Sequence, residues 1–143
     1  MIGLKWWYYA FVPNRDEPVW WRTGLSLLRH KFGHVIAFRY DTSSDVWLLC
    51  EWSQRGLFVD TLDPDEVDAI IANVRLMGGE ILEYKAPDKP APMVSGPFAR
   101  YCVPIMASLA SLPGWIATPD GLFRALRKRG AKVAFSDIAP LKG

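Results

Sequence analysis

Three apolar runs separated by short polar breaks constrain this fold more than any other feature. Gly33 to Tyr40, Asp45 to Trp52 and Leu57 to Thr61 are rich in Val, Ile, Phe, Trp and Leu, residues that suit a pleated, half-buried surface. Asp41-Thr42-Ser43-Ser44 divides the first two runs, and Ser53-Gln54-Arg55-Gly56 divides the last two. Breaks this short join antiparallel neighbours, so the middle of the chain reads as a three-stranded meander.

Flanking segments fill in an α+β domain. Trp6 to Val12 is strand-like and stops at Pro13-Asn14-Arg15-Asp16, whereas Trp20 to His30 fits either a short helix or irregular cover. Asp63-Pro64-Asp65-Glu66 is a helix start: Asp63 caps, Pro64 fits the first turn and Glu66 completes a capping box. Val67, Ile70, Ile71, Val74 and Met77 then share one face, and Gly78-Gly79 ends the helix. Glu80 to Lys85 reads as a further strand. Residues 86–97 hold four prolines and a glycine and read as an extended connector. Tyr101 to Leu112 suits a helix, with Pro104 tolerable only in its first turn. Thr118-Pro119-Asp120 starts another helix, which runs to Arg129 and closes at Gly130. The expected architecture is one domain over residues 1–143, an antiparallel meander with helices packed on one face.

Composition narrows the function classes. With 143 residues, half of them apolar, the chain can bury a genuine core. Seventeen basic and fifteen acidic residues leave a net charge of +2, which offers no footprint for a phosphate backbone. Arg124, Arg127, Lys128 and Arg129 cluster near a helix end, where they complement its dipole. No nucleic-acid partner is therefore expected. Cys50 and Cys102 are the two cysteines, too few for a disulfide framework and without zinc-ligand spacing, so no metal or other cofactor is expected. No run approaches the ~20 apolar residues of a membrane span, and the N-terminus lacks a signal-peptide pattern. Synthesis in a cytoplasm is the resulting expectation.

Candidate chemistry rests on His34 and Cys102. His34 opens a strand and Cys102 opens an apolar helix, whose first turn favours a thiolate and offers N–H groups for an oxyanion. If Asp41 to Ser44 form the loop, Tyr40 faces Asp45 and His34 faces Glu51. Glu51 would then orient the imidazole, with Asp60 on the next strand as a second candidate. One residue of slippage would bring Cys50 or Trp52 opposite instead. Set against this, a strand histidine is often simply a hydrogen-bonded residue, and a free cysteine is often a small buried hydrophobe. Cys50 fits that second description. Trp6, Trp7, Tyr8, Trp52 and Tyr101 are candidates to line a substrate groove, with alternate members of the first group in the core.

These residues resemble a known family. Gly33-His34-Val35 opening a strand, Cys102-Val103 leading an apolar helix, and Thr118-Pro119 followed by Leu122 and Leu126 look like the circularly permuted papain-like group. That group includes permuted NlpC-type peptidases and lecithin retinol acyltransferase-like proteins. The resemblance implies Cys102 as nucleophile, His34 as base and Glu51 as the orienting group, acting on a peptide or peptidoglycan-like substrate. Tyr101 departs from the small or polar residue such proteins often carry before the cysteine. The alternative expectation is a non-catalytic structural or adaptor protein on the same scaffold, such as a component of a phage particle, binding protein partners.

Overall fold

The computed structural model describes residues 4–13, 32–53, 56–87, 102–112, 116 and 118–135. Six strands, β1 (Leu4–Pro13), β2 (Phe32–Asp41), β3 (Val46–Ser53), β4 (Gly56–Leu62), β5 (Glu80–Pro87) and β6 (Lys132–Val133), form one sheet in the order β4-β3-β2-β1-β5-β6. Every neighbouring pair is antiparallel. Three helices accompany them: α1 (Pro64–Leu76), α2 (Cys102–Leu109) and α3 (Pro119–Lys128). The expected α+β class with an antiparallel meander therefore matches the architecture. Trp20 to His30 and most of the proline-rich connector lie outside the described residues, but Ala86 and Pro87 belong to β5.

Helices cover both faces of the sheet, which corrects the expectation of one. Tyr9, Phe11, Val35 and Ala37 form a core with Val103, Met106 and Ala107 of α2 and Leu122 and Leu126 of α3. Ala10, Phe38, Leu49 and Ile81 face the other way and pack on Val67, Ile71 and Val74 of α1. Helix periodicity identifies an apolar stripe but not the sheet face it meets. The unbroken run Trp6 to Val12 carried the missing signal, because a strand buried on both sides needs apolar residues at both parities.

Helix ends follow the local chemistry. Asp63 accepts from the Glu66 N–H at 2.8 Å, and the Glu66 carboxylate accepts from the Asp63 N–H at 2.9 Å. This reciprocal capping box contributes on the order of 1 kcal/mol. Thr118 Oγ1 accepts from the Gly121 N–H at 3.0 Å to start α3. Asp120 Oδ1 accepts from the Phe32 N–H at 3.0 Å, tying the start of α3 to the start of β2.

The first hairpin turns through Thr42 to Asp45 rather than Asp41 to Ser44. Asp45 adopts φ 57° and donates its N–H to the Asp41 carbonyl at 2.8 Å. Aspartate tolerates this left-handed region better than most residues, so it ends the turn instead of starting a strand. The hydroxyls of Ser44 and Ser43, then the Ser44 N–H and Arg39, hold the Asp41 carboxyl down to about 2. A carboxyl lowered on folding stabilises the hairpin above about pH 4 and loses that contribution as pH falls toward about 2. An NMR titration of Asp41 should show a midpoint near 2; an ordinary midpoint near 4 would contradict the turn geometry.

The Tyr9 hydroxyl is buried and finds no hydrogen-bond partner among the described residues. Burial, then Tyr84 and Cys50, push its pKa well above the usual phenol range. Removing an unmade buried hydrogen bond relieves a desolvation cost. Tyr9→Phe is expected to raise stability by about 1 kcal/mol, and thermal denaturation that shows a loss instead would reveal a partner for this oxygen.

Candidate functional site

The imidazole of His34 meets Glu51 across the first hairpin. His34 Nε2 lies 3.1 Å from Glu51 Oε1, with the two side chains 35% and 37% exposed. The expected register placed them directly opposite, whereas the structure pairs Glu51 with Ile36 and Asp41 with Val46. The residue numbers of each pair thus sum to two more than expected. A two-residue shift preserves the sheet face, so His34 and Glu51 remain diagonal neighbours within side-chain reach. The carboxylate of Asp60 lies on the same face opposite Leu49 and accepts the Thr61 N–H at 2.8 Å.

The contact suits an imidazole that donates through Nε2–H to the Glu51 carboxylate, the tautomer in which Nδ1 carries the lone pair. An exposed pair of this kind contributes only about 0–1 kcal/mol to stability. His34→Ala and Glu51→Gln therefore probe chemistry without threatening the fold.

A backbone irregularity positions His34. β1 pairs Val12 with His34 and Pro13 with Phe32, leaving Gly33 as an extra residue. The bulge turns Phe32 toward Phe11 and Phe123, with ring centroids 5.3 and 5.2 Å away. The β2–β3 ladder also stops at Ile36, so His34 stands at the open end of β2. Sequence reasoning missed the bulge, although a glycine inside a strand is its usual signal.

Cys102 is the first residue of α2, which packs across β2 and β3. The side chains of Cys102 and Trp52, and all of Tyr101, lie outside the described residues. Val35 and Ala37 point to the α2 side of the sheet, and strand alternation turns His34 and Ile36 to the α1 side. Only the open end of β2 connects the His34 ring with the side of the sheet that α2 covers. Cys50 points to the α2 side, half buried, and burial raises its thiol pKa despite the nearby Arg39. It has the character of an inert core thiol.

Trp6 is not brought to this pair. It is six residues from Val12, the β1 partner of His34, which along a strand is about 20 Å. Trp7 is buried in the core and Trp6 is 50% exposed, the expected alternation. Two cavities of about 570 and 300 Å³ lie toward the Tyr40 end of the sheet, also away from His34.

Among the described residues, no group of three or more His, Cys, Asp or Glu side chains is placed to hold a metal ion. No described helix is long and apolar enough to cross a membrane. Comparison with known proteins finds no matching family model, curated protein or solved structure.

Proposed function

We propose that this protein is a cysteine hydrolase, a peptidase or amidase of permuted papain-like design. Cys102 is the nucleophile, His34 the base and Glu51 the group that orients the imidazole. The observation that carries the reading is the 3.1 Å contact between His34 Nε2 and Glu51 Oε1. It fixes the imidazole at the open end of β2 on the α1 side of the sheet, while the helix that Cys102 opens crosses the other side of the same strand, so the reading requires sulfur and ring to meet around that end. Nδ1 takes the Cys102 proton, and the thiolate adds to the substrate carbonyl carbon. Collapse of the tetrahedral intermediate returns that proton to the departing amine and leaves a thioester. Water, deprotonated by His34, then releases the acid and restores the thiol. The α2 first turn supplies N–H donors for the oxyanion. Cell-wall peptide is the proposed substrate class, and a phage origin accords with it.

Incubation with purified peptidoglycan should release new amino and carboxyl termini. Cys102→Ala should abolish the release and His34→Ala should reduce it at least about 100-fold, the usual scale of a lost general base. Turnover that survives Cys102→Ala would refute the assignment.

A non-catalytic adaptor is the second reading, favoured by edge strand β4. Leu57, Phe58 and Val59 are consecutive and each about half exposed on the outermost strand. Exposed apolar edges invite pairing with another chain. An inactive protein whose assembly is unchanged by Cys102→Ala would favour this reading.

A further inference from the structure

We infer that the sheet end opposite His34 carries a binding site for a methylated ammonium group. The β1–β2 ladder stops at Tyr8↔Phe38, although both strands continue, to Trp6 and beyond on β1 and to Tyr40 and Asp41 on β2. Beyond that point, where β1 and β2 no longer pair with each other, lies an open cavity of about 300 Å³ lined by Trp6, Tyr8, Tyr40, Thr42 and Glu83. Three aromatic residues and one carboxylate are among its lining groups. Electron-rich ring faces attract a cation whose methyl groups bar hydrogen bonding, and a carboxylate adds charge complementarity.

Two further observations point the same way. Lys85 Nζ lies 5.7 Å from the Trp6 ring centroid, so this indole already draws a cation from within the chain. The Tyr8 hydroxyl is held above its ordinary pKa by burial and then by the Glu83 charge, which places negative potential at the cavity wall. Glu83 faces Lys132 across the β5–β6 ladder, yet no ion pair joins it to Lys132 or Lys85 among the described residues. The Tyr40 ring also packs against Trp47, centroids 5.4 Å apart with the planes tilted by 59°. Along β2, Tyr40 is six residues from His34, about 20 Å, so the site stands apart from the proposed catalytic pair. Sequence reasoning placed Trp6 and Tyr8 in a groove but missed Tyr40 and Glu83. The i, i+2 spacing of Trp6 and Tyr8 was the available signal.

The test is an NMR titration of the full chain with tetramethylammonium chloride, against sodium chloride at matched ionic strength. The Trp6 indole N–H should shift saturably, and the neutral isostere 3,3-dimethylbutanol should not reproduce the shift. Trp6→Ala should weaken binding at least about fivefold, and Glu83→Gln should weaken it less. Lys85→Gln removes the competing cation and should tighten binding about threefold, a gain that a merely structural lysine would not produce. Cys102→Ala should bind as the parent does, so the result is independent of any hydrolase activity. Free choline and phosphatidylcholine vesicles share the ligand chemistry. Saturation by choline alone identifies a dissolved ligand, capture by vesicles identifies a headgroup, and either supports the site. A shift that fails to saturate, or an equal response to the neutral isostere, would overturn it.

Discussion

Replacing His34 with alanine is expected to slow alkylation of Cys102 about tenfold at pH 6, for the following balance of effects. An ordinary thiol, with pKa ~8.5, is only about 0.3% thiolate at that pH. A thiol beside an imidazolium at a helix N-terminus, with pKa about 5.5, is roughly 75% thiolate, a gain of more than 200-fold. Intrinsic nucleophilicity falls with basicity, and about three units cost roughly 20-fold. The gain outweighs the loss by about an order of magnitude, so removing His34 leaves a measurable deficit. Glu51→Gln keeps the shape of the orienting side chain but loses its charge, and should fall between parent and His34→Ala. Cys50 is the internal control, because burial raises its pKa and should make it the slower thiol in every variant. Mass spectrometry of the two cysteine peptides after timed iodoacetamide treatment reads both rates at once. A Cys102 rate indifferent to His34 would remove the proposed base.

Gly79→Ala is expected to be the most destabilising small substitution among the described glycines. A Cβ on Gly79 would lie 2.4 Å from the Phe11 carbonyl oxygen and 2.8 Å from Val74 Cγ1. The first contact is with backbone inside the β1–β5 ladder, which cannot yield by changing a rotamer. Forced overpacking costs about 1–3 kcal/mol where side chains can adjust, and this site belongs at or above the upper end. For a domain of this size about 3 kcal/mol is roughly 10 °C in Tm. Gly78 is the contrast. It has φ 80° and open space around its Cβ position, so Gly78→Ala carries only the backbone cost, about 1–2 kcal/mol. Thermal melts of the two variants should separate clearly. Equal losses would mean that β5 does not approach Phe11 as closely as the structure has it.

What could be read from the sequence follows from the range of the interactions involved. The capping box of α1 lies within four consecutive residues, Asp63 to Glu66, and forms as expected. The three central strands were legible for the same reason, since their apolar runs and polar breaks are local. The hairpin register was not, because it depends on Asp45 adopting a left-handed conformation that competes with strand formation. The error was an even number of residues, so the shared face of His34 and Glu51 survived it. Helix placement is a long-range property. The stripe of α1 and that of α3 look alike along the chain, yet they cover opposite sides of the sheet. The bulge at Gly33 and the end of the β1–β2 ladder at Tyr8↔Phe38 depend on two strands at once, so the glycine and the Trp6–Tyr8 spacing signal them only weakly along one strand.

Thiolate absorbance in the ultraviolet, followed across pH in a Cys50→Ala background, tests the proposed nucleophile most directly. With the second thiol removed, any titration belongs to Cys102. The expected trace has a step well below the ordinary thiol range that disappears in Cys102→Ser and moves up toward the ordinary value of ~8.5 in His34→Ala. A single step at or above pH 8.5 in the parent background would show that no imidazole reaches this sulfur, and would contradict the hydrolase.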